Sequence, residues 1–567
     1  MPCSDRAFYL EPFQFAGKSV RGRMAIPSGI RCIHASVIAK CFAEFDAVGI
    51  ITTKSVSVAP RLGYREPIYA RYSSGSYINA VGLSNPGAEA FCTELKSVSV
   101  PSNKVLLVSI FGGAAADFAE ASRILKPVAD AFELNMSCPH AAGYGIELGH
   151  DIDLVKEITA AVVRASGLPV LVKLSGMLPR LALTAKAAME AGAAGITVTN
   201  TVGPSMVVVG NHGPVLSNRV GGLSGDAIRP VALRSVDVVR SAIGPEPLVI
   251  GMGGIGTAEH VEQFRHVGAN VFGIGSALTG LDSPAAVRFF CNLEKTLVAG
   301  GPSTLGSHCA DTPLSMDYHR CKVTANVHYS ERLFKLTFDQ LPARPVAGDL
   351  AGLFYFLCVP GVGEKPFAIF SADERSMVIK TVGPFTSHLA SLSAGSPVLM
   401  RGPYGRSFRG IEGCTRYILV GGGTGIASLP EIALFLRRQY PVHLVVGARS
   451  KSELFELEAL RQIGPVSIAT DDGSLGYRGT VSELLSCILA EGLPQDLNSA
   501  GFVNCGPEPM VYGCAQVEGK YAPAERIISA VEYRTSCGVG ICGKCASPAG
   551  HLSCIDGPFM PFSSFVS

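Results

Sequence analysis

Tryptophan is absent from the 567 residues, and charge is scarce. Asp, Glu, Lys and Arg make up 17% of the chain, 48 basic against 46 acidic, for a formal net charge of +2. A typical soluble chain carries about 25%, so a polybasic nucleic-acid binder and a charged disordered tail are both disfavoured. No stretch of about 18 uncharged apolar residues is present, which argues against a membrane span. Near the N-terminus, Phe8-Tyr9-Leu10 is too short for the apolar core of a secretory signal. What the chain does have is glycine: 64 residues, about 11% against a usual ~7%. With no collagen-like period, the surplus belongs in turns and ligand-facing loops. Seventeen cysteines are spread along the sequence. Without a secretory signal they read as thiols or metal ligands of a reducing, cytoplasmic compartment rather than as a disulfide frame.

The length suggests three or four domains. Up to about residue 300, short β-branched runs alternate with alanine-rich segments of helical period. Strands are expected at 24–27, 47–53, 105–111, 131–136, 169–174, 195–200, 248–252 and 270–274. Helices at 115–126, 151–166, 181–191 and 226–242 lie between or after them. Eight strands, mostly each followed by a helix, fit a (β/α)8 barrel over 1–299 better than an open doubly wound sheet. Residues 300–317 are rich in Gly, Pro, Ser and Thr and break both periods, as a linker does. Beyond them, short strands at 321–329, 333–338, 353–359, 368–371, 377–381 and 397–400 suggest a small antiparallel barrel over 318–412. An α/β pattern resumes over 413–530, and 531–567 is rich in Cys and Gly.

In such a barrel the chemistry belongs at the C-terminal ends of the strands, where the polar residues here collect. Lys54-Ser55 follows the second strand, Asn135-Met-Ser-Cys138-Pro139 the fourth, Lys173 ends the fifth and Asn200-Thr201 the sixth. Gly253-Gly254 and Gly275-Ser276 follow the last two, exposing backbone N–H groups that can hold a phosphate. A lysine on the fifth strand can stabilise a reduced flavin anion. Together these suggest FMN.

Lys54-Ser55-Val56, Asn79-Ala-Val-Gly-Leu-Ser-Asn-Pro-Gly87, Asn135-Met-Ser-Cys-Pro139, Asn200-Thr201, Gly221-Gly-Leu-Ser-Gly-Asp-Ala-Ile-Arg-Pro230 and Gly251-Met-Gly-Gly-Ile255 resemble, in order and spacing, the dihydroorotate dehydrogenases. The resemblance covers about 20–290 and implies a barrel, bound FMN, and oxidation of dihydroorotate to orotate. It implies substrate contacts from Lys54, Asn79, Ala80, Val81, Gly82, Leu83, Asn135, Asn200 and Thr201, and a cysteine base at Cys138, which marks the soluble branch of the family. FMN contacts are expected from Ser28, Lys54, Ser55, Asn135, Lys173, Gly225, Gly253, Gly254, Gly275 and Ser276. Two positions depart from the family pattern: His140 stands where asparagine usually follows Cys-Pro, and Ser109 aligns with a flavin-contacting asparagine. His140 can keep a donor to the pyrimidine ring or signal another cyclic amide, such as a dihydropyrimidine base.

In the second half, Gly421-Gly422-Gly423-Thr424-Gly425 follows an apolar strand and precedes a helix expected near Ala427. With Gly402-Pro-Tyr-Gly405 and Asn504-Cys505-Gly506-Pro507, it resembles the ferredoxin-reductase-like flavoproteins. That resemblance implies FAD on the small barrel and a nicotinamide dinucleotide on the α/β domain, with Cys505 and Gly506 beside the nicotinamide. The family's Arg-Pro-x-Ser flavin motif reads Lys365-Pro366-Phe367-Ala368 here, which keeps the charge but loses the guanidinium fork. Val378-Ile379-Lys380 and Phe385-Thr386 complete the expected FAD set.

Cys537, Cys542 and Cys545 have the C-x4-C-x2-C spacing of plant-type [2Fe–2S] sites, and Cys554 supplies a fourth thiolate. Zinc sites more often use two separated C-x2-C pairs, and only one is present. An FAD barrel, a dinucleotide domain and this motif resemble the electron-transfer subunit of NAD-linked dihydroorotate dehydrogenase, here fused to the FMN barrel. The combined expectation is a relay from dihydroorotate through FMN, the cluster and FAD to NAD+, in a homodimer joined through the barrel, with no nucleic-acid partner. An electron-carrier role for the second half, serving another protein, is the alternative that the altered Lys365–Ala368 motif supports.

Overall fold

The computed structural model describes residues 4–136, 146–210, 212–299, 314–343, 350–491 and 497–566. The chain divides into two compact units, Met1–Thr312 with Gly540–Lys544, and Pro313–Val539 with Cys545–Ser567.

In the first unit eight parallel strands close into a barrel in chain order: β1 (Met24–Ile26), β2 (Val48–Thr52), β3 (Val105–Ile110), β4 (Ala131–Asn135), β5 (Val170–Leu174), β6 (Gly195–Val198), β7 (Leu248–Met252) and β8 (Val271–Gly273). All eight were legible as apolar runs, and the observed strands are the same length as expected or up to two residues shorter. They are buried on both faces, as parallel strands under helices must be. Ala25, Ile50, Val105, Leu107, Ala131, Leu171, Ile250 and Val271 pack together as the apolar filling, with Phe15 and Val20 of a short hairpin (Phe13–Phe15, Lys18–Val20). Two residues further along a strand the side chain points the same way. Leu107 is thus followed by Ser109, Ala131 by Glu133 and then Asn135, and Leu171 by Lys173. The interior changes from apolar to polar within one pleat period, toward the C-terminal end of the barrel.

One element was not anticipated. Tyr69–Ser73, Ser76–Asn79, Gly221–Gly225 and Val202–Ser205 form a four-stranded antiparallel sheet outside the barrel ladder. Its hairpin and its glycine-rich strand carry too few β-branched residues to read as strands.

The second unit holds six antiparallel strands: β9 (His319–Ser330), β10 (Leu333–Phe338), β11 (Phe354–Val359), β12 (Gly363–Ala368), β13 (Ser376–Lys380) and β14 (Pro397–Tyr404). Their order is β12-β11-β14-β9-β10-β13, with β12 and β13 at the edges. Over 318–412, where a small antiparallel barrel is expected, the six strands form one antiparallel sheet, and among the described residues no ladder pairs β12 with β13. Pro366, on the edge strand β12, lacks the N–H that would extend the ladder.

A seven-stranded sheet follows: β15 (Arg416–Gly422), β16 (Val442–Ala448), β17 (Val466–Thr470), β18 (Tyr477–Arg478), β19 (Ala500–Gly506), β20 (Ile527–Val531) and β21 (Met560–Pro561). The order is β18-β17-β16-β15-β19-β20-β21, parallel except for the final pair. The chain leaves β15 toward β16 on one side and returns to β19 on the other, which makes a crevice at their C-terminal ends. The expected helix start near Ala427 is corrected: residues Gly423–Ser428 form a 3-10 turn, and the helix begins at Pro430, whose fixed φ suits a first turn. Among the described residues no helix is long and apolar enough to cross a membrane.

Candidate active site

The C-terminal end of the barrel opens into a pocket that gathers most of the residues singled out above. Ser28, Lys54, Ser55, Asn79, Val81, Gly82, Leu83, Asn135, Lys173, Asn200, Thr201, Gly225, Gly253, Gly254, Gly275 and Ser276 all line it. Ala80 does not: it is wholly buried behind its neighbours, its N–H donating to the Ile68 carbonyl. Cys138 and His140 lie outside the described residues.

The pocket floor is a chain of hydrogen bonds. Ser28 and Ser55 hydroxyls stand 3.2 Å apart, and Ser55 and Ser109 hydroxyls 2.9 Å. Asn135 Nδ2 donates to Ser55 Oγ at 3.0 Å, and Asn200 Nδ2 donates to Asn135 Oδ1 at 3.2 Å. Ser109 in turn donates to Glu133 at 3.2 Å. Each amide is thereby oriented before any ligand arrives, which lowers the ordering cost of binding. Ser109 itself is wholly buried and supports Ser55 from below.

Glu133 was not singled out in the sequence. It is fully buried on β4, 3.9 Å from the Lys173 ammonium, and its Oε2 has no hydrogen-bond partner among the described residues. The signal was present: an acidic residue inside the otherwise apolar run Ala131–Leu134, in phase with Asn135. Cys32 lies beneath the same pocket, where burial pushes its thiol up to about 11 although Lys54 and Lys173 pull it down.

The glycine-lined wall fits a phosphate group. Gly225 has φ of +90°, and a Cβ there would lie 2.0 Å from the Gly75 carbonyl oxygen, so no other residue suits the position. Gly253, Gly254 and Gly275 follow β7 and β8 directly. Arg229, in the first turn of the helix Arg229–Ile243, donates to Asp226 and to the Gly254 carbonyl at 3.0 and 3.2 Å, holding that loop in shape. Lys173 lines the same pocket, so it offers an ammonium together with glycine backbone groups, a donor set that suits FMN. Ile541 and Cys542, from the segment 540–544 that groups with this unit, complete the lining. Arg31 holds that segment, its backbone N–H donating to the Ile541 carbonyl at 3.0 Å and its Nε to the Gly540 carbonyl at 3.1 Å.

Comparison with known proteins agrees with the geometry. The dihydroorotate dehydrogenase profile matches residues 13–297. The chain belongs to the dihydroorotate dehydrogenase family. It is an enzyme, an oxidoreductase of that family. A relative from Methanothermobacter thermautotrophicus, the catalytic subunit of dihydroorotate dehydrogenase B (NAD(+)), is 36% identical over 304 residues, 53% of this chain and 97% of that one. The Pyrococcus horikoshii protein of the same name is 41% identical over 237 residues, 42% of this chain and 76% of its own length. A solved dihydroorotate dehydrogenase from Eimeria tenella superposes less closely, with a TM-score of 0.43 and 18% identity over 51% of this chain and 84% of that one.

The second unit brings its expected residues together only in part. Gly421 and Gly422 end β15 and Cys505 and Gly506 end β19, with Gly421 paired to Cys505 across the ladder at the crevice. Gly425 approaches so closely that a Cβ would lie 2.2 Å from the Cys505 carbonyl oxygen. A second pocket is lined by Arg332, Lys380, Gly423, Thr424 and Glu453, among others, with Lys380 paired to Glu453 at 3.6 Å. Lys365 to Ala368 lie along β12, and Phe367 stacks on Phe385, centroids 6.4 Å apart. Val378 and Ile379 are buried in hydrophobic cores. The Thr386 hydroxyl accepts from the Val382 and Gly383 N–H groups at 2.9 and 3.1 Å, so it caps its own helix.

Cys537, Cys545 and Cys554 are buried, and Cys554 makes sulfur hydrogen bonds to both others, which with burial push its thiol well up. No group of three or more His, Cys, Asp and Glu side chains with the geometry of a metal site is present among the described residues. The donor set is of the right kind: Cys537, Cys542 and Cys545 lie on a short loop in which Gly538, Gly540 and Gly543 all have positive φ, and Cys554 lies on the short helix Ser553–Asp556.

Proposed function

We propose that this chain oxidises dihydroorotate to orotate, a step of pyrimidine biosynthesis, and passes the electrons to NAD+ within one polypeptide. The observation that carries the reading is the convergence of Lys54, Asn79, Asn135 and Asn200 on one pocket whose far wall is Gly225, Gly253, Gly254 and Gly275. Dihydroorotate presents a carboxylate and a ring of amides. Lys54 supplies the cation for the first, and the three asparagines supply paired donors and acceptors for the second. FMN, when bound on the glycine wall, supplies the hydride acceptor. Cys138, by its place in the Asn135–Pro139 motif, removes the C5 proton as a thiolate. Lys173 holds positive charge where the reduced ring would become anionic.

The second unit is the electron outlet in this reading. The crevice at Gly421–Gly425 and Cys505-Gly506 suits a dinucleotide pyrophosphate. The face near Lys365–Ala368, Lys380 and Phe385 suits FAD, and the four cysteines suit a [2Fe–2S] cluster. When bound, these groups supply single-electron transfer between the flavins and hydride delivery to NAD+. The reading carries with it a cytoplasmic location and a homodimer joined through the barrel.

Cofactor analysis of the purified chain tests it, with FMN, FAD, iron and sulfide expected in each polypeptide and dihydroorotate-dependent NAD+ reduction in solution. Cys138→Ser should slow orotate formation near neutral pH and leave NADH-driven dye reduction intact. FMN without FAD, or equal loss of both activities in the variant, contradicts the proposal.

A further inference from the structure

Arg401 on β14 is wholly buried, and its guanidinium is shared among three groups. Nε and Nη2 form a two-pronged ion pair with Glu364 of β12 at 2.8 and 2.6 Å. Nη1 donates to Tyr404 Oη at 3.0 Å and to the Cys537 carbonyl at 2.9 Å. Glu364 is also fully buried and accepts from Tyr318 Oη at 2.7 Å, while Tyr404 Oη donates to the Ser315 carbonyl at 2.8 Å. The guanidinium carbon lies 4.0 Å from the centre of the Phe356 ring. Such a pair is costly to desolvate, and well-packed apolar side chains often serve a core as well or better. What apolar residues cannot do is present a charge-assisted N–H to a loop carbonyl.

That carbonyl belongs to the first cysteine of the cluster loop. The 537–538 peptide is trans, so its C=O and N–H point in opposite directions. Fixing the Cys537 carbonyl on Arg401 therefore fixes the direction of the Gly538 N–H on the other side of the same plane. Gly538 has φ of +81°, and a Cβ there would lie 2.8 Å from Phe356 Cε2, so this peptide rests on the ring that also faces the guanidinium.

We propose that Arg401, neutralised by Glu364, is a positioning residue for the iron–sulfur loop, setting the orientation of the 537–538 peptide and so of the Gly538 N–H offered to a sulfur. This rests on the cluster assignment made under Proposed function. Hydrogen bonds to the sulfurs help set a cluster's potential. Donated N–H bonds stabilise the more negative, reduced form, so losing one lowers the potential.

The test uses the full chain carrying Glu364→Met with Arg401→Met, which replaces the pair by apolar groups, and Arg401→Lys, which keeps a cation beside Glu364 without the fork. Iron and sulfide per chain, the electron paramagnetic resonance spectrum and midpoint potential of the reduced cluster, and the rate of iron loss to a chelator are compared with wild type. FAD content and thermal midpoint report on the fold. The double variant should keep FAD, show a lower potential and an altered spectrum, and lose iron at least about 10-fold faster. Arg401→Lys should fall between it and wild type, and it carries the same test if the double variant does not fold. Wild-type potential, spectrum and iron retention in a folded variant overturn the inference. Wild-type chain that holds no iron and sulfide after anaerobic reconstitution overturns the cluster assignment instead.

Discussion

Lys173 Nζ stands 3.9 Å from Glu133 Oε1 inside the barrel, with the two side chains 6% and 0% exposed. They sit on neighbouring strands, where Glu133 pairs with Leu171 and Asn135 with Lys173. Both also follow the apolar filling by two residues. The pair marks the level at which the barrel interior changes from core to site. Removing the acid takes a buried counter-charge away from the Lys173 ammonium, and breaking a buried pair in this way costs about 3–5 kcal/mol. The 3.9 Å separation, longer than a direct hydrogen bond, places Glu133→Gln at the lower end. Denaturant unfolding of the cofactor-free chain measures it, and a variant as stable as wild type would show that the pair contributes nothing.

Lys54 is the cation proposed for the substrate carboxylate. Losing a charged hydrogen bond of this kind costs about 1.5–3 kcal/mol. Lys54→Met should therefore raise KM for dihydroorotate about 10- to 100-fold, with FMN content measured alongside. An unchanged KM would move the carboxylate elsewhere in the pocket.

Gly225→Ala asks whether the glycine wall is the flavin phosphate site. Its φ of +90° and the 2.0 Å approach to the Gly75 oxygen make any side chain strained, by about 1–3 kcal/mol for the backbone alone. The variant should lose FMN during purification while FAD and iron per chain stay at wild-type values. Full FMN retention would dissociate this wall from the flavin.

Glu518 gives a pH signature in the second unit. It is fully buried against Asn504, whose Nδ2 donates to it at 2.7 Å. Burial pushes its carboxyl from 4.5 up to about 8, and the Asn504 hydrogen bond pulls the other way. The folded chain therefore keeps a proton that the unfolded chain releases above about pH 4.5. Between there and about pH 8 the folded form binds more protons, so this group's contribution falls as pH rises and is level above that window. Thermal midpoints of wild type and Glu518→Gln, taken from pH 5 to 9, should diverge through the window in favour of the variant. A constant offset would mean that Glu518 does not titrate there.

Much of the barrel was legible because its strands are continuous apolar runs whose burial needs no partner to be guessed. The pocket was legible through residue types that a core would not select: Lys54, Asn135, Lys173 and Asn200 directly after apolar runs. Glu133 is not at a strand end: its role comes from phase, two residues before Asn135 on the same side of β4. The outer antiparallel sheet escaped because Gly221–Gly225 has no side-chain pattern to read and its pairing partner is more than 140 residues away. Val378 and Thr386 read as ligand contacts from resemblance, while their local surroundings engage them in a core and a helix cap.

Residues 540–544 belong to the barrel's compact unit although more than 200 residues of chain separate them from it. Domain dissection by cutting the polypeptide at the intervening linker would therefore not yield an intact first half. A fragment ending at residue 312 would lack Ile541 and Cys542 from its pocket lining and would leave Arg31 without its two carbonyl acceptors at 540 and 541. Such a fragment should regain its native pocket only when a peptide spanning those five residues is supplied in trans.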